Sequence, residues 1–160
     1  MYGSQYDDQV KGMDGVDAIY GNRGNDTIFG GNGNDYIEGG AGNDILYGGA
    51  GADTLLGNLG ADTFVFESAS AFSNQDTVSD FSAANGDKLD IHDIIDVAFN
   101  PATMAIANFV DFVTSGSNAI MKIDLDGTGT TYGWQSIATI TGGAGLDETT
   151  LYNNGNLLAA

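Results

Sequence analysis

The chain of 160 residues contains no cysteine, a single proline and only four basic residues. Without cysteine the chain has no disulfide to stabilise it; an extracellular protein without disulfides needs another constraint, and bound metal is the usual one. Against the four basic residues stand 22 acidic ones, which gives a formal net charge of −18. This charge excludes nucleic acid and anionic membrane surfaces as partners, because their phosphate groups would be repelled.

Long apolar runs are also missing, and no stretch approaches the length that spans a bilayer, so we expect no membrane insertion. The first residues, MYGSQYDDQV, lack the features of a secretory signal peptide. They already lie in a repeat. We therefore expect the chain to be part of a longer polypeptide whose larger N-terminal portion precedes it.

Glycine and aspartate are abundant, and they recur with a period of nine. Seven nine-residue units follow one another over residues 3–65, and the clearest copies read GGNGNDYIE, GGAGNDILY and GGAGADTLL. Every unit has aspartate at its sixth place and an apolar residue at its eighth. The aspartates are Asp8, Asp17, Asp26, Asp35, Asp44, Asp53 and Asp62. The apolar residues are Val10, Ile19, Ile28, Ile37, Leu46, Leu55 and Phe64.

The unit predicts a turn followed by a short strand. Glycines at places one, two and four allow the positive φ that a tight turn demands. Places seven to nine point outward, inward and outward, as in a three-residue strand with one buried side chain. Two units then make one coil, and units n and n+2 stack about 4.8 Å apart. A disordered acidic linker is the alternative, but it gives no reason for seven apolar residues in register.

This stacking places one aspartate carboxylate nearly above the next. Two like charges about 5 Å apart repel by about 3 kcal/mol at an effective dielectric near 20, so the fold needs cations between them. Carboxylate and carbonyl oxygens without imidazole or thiol favour a hard cation, and flexible turns favour Ca²⁺ over Mg²⁺. Five gaps are available, and five Ca²⁺ ions would change the formal charge from −18 to about −8. The gaps lie between Asp8 and Asp26, Asp17 and Asp35, Asp26 and Asp44, Asp35 and Asp53, and Asp44 and Asp62.

After residue 66 the repeat ends, and residues 67–160, the C-terminal region, read as a small β-rich lobe. Alternating apolar residues predict strands at 63–66, 76–81, 88–91, 109–114, 118–124 and 136–141. Short helices are predicted near 92–97 and 102–107, and turns at 114–118 and 124–129. The predicted core of this region is Phe81, Leu89, Ile91, Ile94, Phe109, Phe112, Ile120, Ile123, Trp134, Ile137 and Ile140.

Outward residues of units three, five and seven are more apolar than those of units two, four and six. The first set contains Phe29, Ile45, Tyr47 and Val65. A continuous apolar strip on a protein surface is normally covered, so we predict that the C-terminal region or a partner lies on this odd-numbered face.

The repeat resembles the glycine- and aspartate-rich nonapeptide GGxGxDxUx of RTX proteins, the hemolysin-type calcium-binding family. Residues 61–95 are similar to the segment that follows the last repeat in type I secreted members. FVDFVTSGSNAIMKIDLDGTG and LYNNGNLLAA resemble the C-terminal secretion-target region of large bacterial RTX adhesins. The resemblance implies an all-β fold with a right-handed parallel β-roll over residues 1–66, bound Ca²⁺, and an uncleaved C-terminal export signal read by the type I secretion machinery.

By the same resemblance, main-chain carbonyls complete each calcium site. They come from places one and three of one turn and places two and four of the turn stacked on it, with one aspartate from each. Ser4, Tyr6 and Met13 replace glycines of the first two units, so we expect the N-terminal sites to be the weakest. The implied carbonyl ligands are Gly12, Asp14, Gly21, Arg23, Gly24, Gly30, Gly31, Asn32, Gly33, Gly39, Gly40, Ala41, Gly42, Gly49, Gly51, Asn58 and Gly60.

Other acidic residues leave two interpretations open. Asp124 and Asp126 begin like an EF-hand loop, but its twelfth position is Gln135 instead of glutamate, so a turn-capping role is favoured. The aspartates just past the repeats could close the last calcium gap or be solvated turn residues. They are Asp76, Asp80, Asp87 and Asp90.

These observations favour a calcium-binding module that folds outside the cell and carries the type I secretion signal of a larger exported protein, with an adhesin as the expected parent. The alternatives are the C-terminal module of a secreted hydrolase or polysaccharide-modifying enzyme, or a surface that binds an extracellular glycan. We expect no catalysis in this chain. Every repeat aspartate already has a ligand role, and no nucleophile with an adjacent base is evident.

Overall fold

The computed structural model describes residues 1–67, 72, 74–95, 105–125 and 133–159. Two short α-helices, α1 at His92–Ile95 and α2 at Glu148–Asn153, and two 3₁₀ turns, at Ala83–Asn85 and Ile106–Asn108, accompany the strands. The strands are β1 (Gln9–Asp14), β2 (Ala18–Arg23), β3 (Thr27–Asn32), β4 (Tyr36–Ala41), β5 (Ile45–Ala50), β6 (Thr54–Leu59), β7 (Thr63–Val65), β8 (Asp76–Val78), β9 (Lys88–Asp90), β10 (Val110–Ser115), β11 (Asn118–Ile123), β12 (Gln135–Ile140) and β13 (Leu157–Leu158).

The repeats form a parallel β-roll, as predicted. Odd-numbered strands β1, β3, β5 and β7 pair in parallel in one sheet, and β2, β4 and β6 pair in parallel in the other. The register is 18 residues, so that Ile28 pairs with Leu46 and Ile37 with Leu55. Strands β1 to β6 have six residues instead of the three predicted, because the residues at places two and three of the next unit also pair, as Gly31 does with Gly49.

The eighth-place residues fill the interior of the roll. Ile19, Ile28, Ile37, Leu46, Leu55 and Phe64 are fully buried, and Val10 at the open end is half-buried. Each fully buried aliphatic side chain contributes about 1.5–3 kcal/mol. The same cluster continues without a break into Val78, Leu89, Ile91 and the apolar residues of β10 to β12.

The C-terminal region adds strands to both sheets of the roll, beside the last strand of each. Strand β9 pairs in parallel with β7 and is followed by β13, whereas β8 pairs in parallel with β6 and then with β12. Strands β10, β11 and β12 form an antiparallel meander at the end of the second sheet. Strand pairing therefore continues across the boundary predicted after residue 66. The two regions differ in sequence pattern but share both sheets.

Most predicted elements of the C-terminal region have strands or turns at their positions. The predicted strand 76–81 is shorter, and the hairpin turn before Asn118 joins β10 to β11. Of the predicted helix 102–107, only residues 105–107 are described. Ala105 precedes the 3₁₀ turn at Ile106–Asn108, and the next two residues belong to it. Most of the predicted turn 124–129, including Asp126, lies outside the described residues. Strand β13 and helix α2 were missed.

Three core assignments need correction. Trp134 is 37% exposed, because it precedes β12 and shares the outward side with Ser136 while Ile137 points inward. Phe81 and Ile120 are only half-buried and pack at the edge of the cluster or outside it. The other predicted core residues are buried.

Among the described residues, β9 and β13 extend the sheet at its end instead of folding over the odd-numbered face. Ile45 stays 38% exposed, and only Val65, next to β9, is buried. Phe29 and Tyr47 cover each other, with ring centroids 4.6 Å apart and planes 16° from parallel. Coverage by a partner stays a prediction. Within the described part of the chain, no helix has the length and apolarity to cross a membrane.

Candidate metal centre

The sixth-place aspartates stack in two columns, one on each side of the roll. The odd column contains Asp8, Asp26, Asp44 and Asp62, and the even column contains Asp17, Asp35 and Asp53. Within a column the backbone N–H of each aspartate donates to Oδ1 of the next, at 2.8 Å from Asp26 to Asp44 and 2.8 Å from Asp35 to Asp53. Its carbonyl accepts from the first residue of the strand above, as from Thr27 to Asp8 at 2.8 Å. These bonds fix each carboxylate over the next.

The second oxygen of these carboxylates has no partner. Five Oδ2 atoms are buried without a hydrogen-bond partner among the described residues, those of Asp17, Asp26, Asp35, Asp44 and Asp53. No lysine or arginine reaches them in the described part of the chain, where the ion pairs are those of His92. A buried polar atom left unpaired costs about 1–3 kcal/mol, and more when it is charged. The columns therefore require a positive partner that the chain itself does not supply.

Burial raises the pKa of most of these carboxyl groups. For Asp44 and Asp62 the pKa rises to about 6, mainly through burial, with a smaller contribution from neighbouring carboxylates and an opposing one from the N–H donor. The pKa of Asp26, Asp35 and Asp53 is raised for the same reasons. A raised pKa means that the ionised form is disfavoured in the ion-free fold, and a cation would remove that penalty.

Where one turn stacks on another, place four leaves no space for a side chain. At place four, a Cβ on Gly33 would overlap the carbonyl oxygen of Gly15, and one on Gly51 would overlap that of Gly33. Both glycines have positive φ, 129° and 142°. At place two, three residues other than glycine also adopt positive φ, namely Met13, Asn22 and Asn58, at 83°, 78° and 69°.

Place one differs from the prediction. The glycines there do not have positive φ. Glycine is needed there because other atoms lie too close for a side chain. A Cβ on Gly30 would overlap the carbonyl oxygen of Gly48 and lie 2.6 Å from Oδ2 of Asp35. The aspartate oxygen thus lies directly against the backbone of its own turn.

The predicted carbonyl ligands lie in the same stacked turns as the aspartates, and their assignment as ligands stays a prediction. From the fourth unit onward, the place-three carbonyl accepts one hydrogen bond from the turn below, as Ala50 does from Gly33 at 2.7 Å and Ala41 from Gly24 at 3.0 Å. Each carbonyl oxygen keeps a second lone pair. Asp14 and Arg23 would contribute only through the main chain, because their side chains are exposed.

The donor set fits a hard cation. No group of three His, Cys, Asp or Glu side chains converges among the described residues, so an ion here would rely on main-chain oxygens beside two carboxylates. Buried Oδ2 atoms and carbonyls, with no nitrogen or sulfur donor, match the ligands of Ca²⁺. The cradle of glycine backbone supplies the close approach that such coordination needs.

Two further aspartates continue the columns beyond the repeats. Asp53 N–H donates to Oδ1 of Asp76 at 2.9 Å, and Asp62 N–H donates to Oδ1 of Asp87 at 3.1 Å. The separations are 23 and 25 residues instead of 18, which is why the period does not reveal them. A local signal exists in the sequence, since Asp76-Thr77-Val78 and Asp87-Lys88-Leu89 repeat the pattern of places six to eight.

Comparison with known proteins gives one family match and two similar solved structures. Residues 2–37 and 29–64 match the family model of the RTX calcium-binding nonapeptide repeat. The chain is similar to the solution structure of the AlgE6R2 subunit of the Azotobacter vinelandii mannuronan C5-epimerase, at 28% identity and a TM-score of 0.43, over 100% of this chain and 92% of that one. The AlgE6R3 subunit of the same enzyme gives 26% identity and a TM-score of 0.35, over 99% and 81%. No curated protein matches significantly.

Proposed function

Residues 2–64 are RTX calcium-binding nonapeptide repeats, and from this premise we propose that the chain is a calcium-triggered folding module of a larger exported protein. The observation that carries the proposal is the set of five buried, unpartnered Oδ2 atoms. Each of them belongs to a carboxylate stacked against another of the same sign. Repulsion between these carboxylates therefore destabilises the folded roll until divalent ions bind.

Calcium concentration would then decide where the module folds. Extracellular calcium modules bind with dissociation constants of roughly 10⁻⁴ to 10⁻³ M, far above free cytosolic calcium. Inside the cell the repeats would stay unfolded and able to pass through a channel. Outside, each filled site stabilises the fold by mass action, by about 2.7 kcal/mol when the ion is at 100 times its dissociation constant.

A calcium titration of the full chain followed by far-UV circular dichroism tests this proposal. We expect loss of most β signal in EDTA and its recovery with calcium. Asp35→Asn should raise the calcium concentration at the midpoint, whereas Asp93→Asn, an exposed carboxylate on α1, should not. A full β signal in the absence of calcium would contradict the proposal.

The export role rests on the likeness of residues 109–129 and 151–160 to type I secretion targets, and the absence of cysteine suits passage as an unfolded chain. We propose that the last ten residues carry the signal and that the parent is an adhesin at the cell surface. Deleting residues 151–160 should abolish appearance in the medium of cells with a type I machinery. Leu89→Ala, which weakens the same sheet but leaves that segment intact, should not abolish it.

A second candidate function is glycan binding on the odd-numbered face. An open groove there is lined by Phe29 and Tyr47, whose rings are stacked, together with Met13, Asp14 and Glu67. Half-buried aromatic rings with polar neighbours suit sugar rings. Binding to neutral glycans on an array that is lost in Tyr47→Ala would support this function, and its persistence in that variant would contradict it.

A further inference from the structure

We propose that Asp76 closes one additional calcium site, between its own carboxylate and that of Asp53, beyond the last repeat. The site would be the sixth in the chain and the third in the even column. It depends on calcium binding by the repeats and is independent of the export role.

The geometry at Asp76 reproduces that of the repeat positions below it. Its Oδ1 accepts the backbone N–H of Asp53 at 2.9 Å, and the two steps below it in the column measure 2.8 Å each. Thr77 N–H donates to the carbonyl of Asp53 at 2.8 Å, as Thr54 N–H does to that of Asp35. The registers agree as well, because β6 and β8 pair through Leu55 and Val78. An irregular connection thus returns an aspartate to the repeat position.

An unpartnered atom marks the space as a ligand site. Asp53 is 1% exposed, and its Oδ2 has no hydrogen-bond partner among the described residues. This oxygen lies against the backbone of Gly48, the first residue of its own turn. The carboxylate of Asp76, 7% exposed, receives one hydrogen bond, that from Asp53, within the described part of the chain. Two buried carboxylates therefore share a gap that holds no basic side chain.

The odd column ends differently. Asp87 also continues its column, but its Oδ2 accepts the N–H of Ser82 at 2.8 Å while Oδ1 accepts that of Asp62. Asp80 adds two more such bonds, from Gly57 at 3.0 Å and Asn58 at 2.8 Å. N–H groups satisfy these carboxylates and carry partial positive charge toward them, which disfavours a cation. The odd column is closed by backbone donors, and the even column is left for an ion.

The position of the site gives it a structural consequence. Asp76 is the first residue of β8, and β8 pairs with β6 of the roll on one side and with β12 of the antiparallel meander on the other. A calcium ion between Asp53 and Asp76 would therefore fasten the roll to the C-terminal region at their junction.

Calcium stoichiometry in the full chain tests the proposal, measured by isothermal titration for the wild type, Asp76→Asn and Asp87→Asn. Asparagine keeps the oxygen that accepts from Asp53 N–H and removes only the charge. We expect one ion fewer in Asp76→Asn and no change in Asp87→Asn. Equal stoichiometry in Asp76→Asn and the wild type overturns the site, as does an equal loss in both variants. A wild-type chain that binds no calcium overturns the site and the proposed function together.

Crystals of the wild type grown with calcium give a test that does not depend on folding of a variant. Anomalous scattering should show a peak between the carboxylates of Asp53 and Asp76 comparable to that between Asp35 and Asp53. A peak at the lower position without one at the upper position would overturn the site and leave the proposed function intact.

Discussion

The roll and the antiparallel meander β10–β12 belong to the same sheet but are stabilised by different means. In the roll, each nine-residue unit from the second onward buries one apolar side chain and, from the third onward, one carboxylate. The meander buries apolar residues on all three of its strands, among them Val110, Phe112, Met121, Ile123 and Ile137. The comparison shows that the roll builds its part of the sheet with fewer buried apolar residues and with buried carboxylates whose charge a bound cation would offset.

Calcium removal should separate the two regions most clearly. In EDTA, backbone amides of β2 to β6 should lose most of their protection from hydrogen exchange, because the stacked carboxylates repel one another. Amides of β10 to β12 should keep more of theirs, since their core contains no such column. Hydrogen-exchange mass spectrometry of the full chain with and without calcium measures this. Equal loss in both regions would show that the meander has no stability of its own.

Alanine at positive-φ glycines should give the next largest difference. Gly51→Ala in the roll should destabilise the protein more than alanine at a glycine outside it. The new alanine would have to adopt positive φ, and its Cβ would also overlap the carbonyl oxygen of Gly33. Gly116→Ala in the β10–β11 turn, where φ is 66° and no atom lies within 4 Å of the added Cβ, should cost only about 1–2 kcal/mol. Urea unfolding in saturating calcium compares them. A smaller loss of stability for Gly51→Ala would contradict the close packing of the turns.

Acid should replace calcium in part where the carboxylates stack. The pKa values of Asp44 and Asp62 rise to about 6 in the ion-free fold, above their unfolded value. Their contribution to stability is therefore fully present below about pH 4 and is lost as the pH rises through about 6. In EDTA, lowering the pH from 7.5 to 4.5 should slow exchange at β3 to β6 after correction for intrinsic rates. Unchanged protection there would mean that charge repulsion does not limit the ion-free roll.

The smallest effect is expected at the N-terminal end of the roll. Met13 is an exposed residue at φ 83°, so Met13→Gly should stabilise the roll by about 1 kcal/mol. Asn58→Gly at the equivalent place should gain less, because asparagine tolerates this conformation better. Thermal unfolding in calcium provides the measurement, and a gain at Asn58 equal to that at Met13 would rule out relief of strain as the cause.

Prediction from the sequence succeeded where a constant repeat length fixes which residues stack on one another. The register of 18 residues, the buried eighth place and the two aspartate columns all follow from one period. At place one, glycine was predicted for its tolerance of positive φ, and that reason was wrong. Glycine is needed there because neighbouring backbone and carboxylate atoms lie too close for a Cβ. Trp134 was misplaced because burial in β12 does not alternate strictly. Ile137 and Ala138 are both buried where the pairing with β11 shifts register, so the alternation of apolar residues could not show which side Trp134 faces.

The amino-acid sequence by itself determined the roll, its core and its demand for calcium, since a strict period leaves one way to stack the units. Only the tertiary structure decided that β8, β9, β12 and β13 continue both sheets of the roll at their ends instead of folding over the odd-numbered face. It also decided that Asp76 and Asp87 continue the columns and that one of them is satisfied by backbone donors. The physical reason is that connections of irregular length do not fix where a residue returns, whereas pairing with β6 and β7 does.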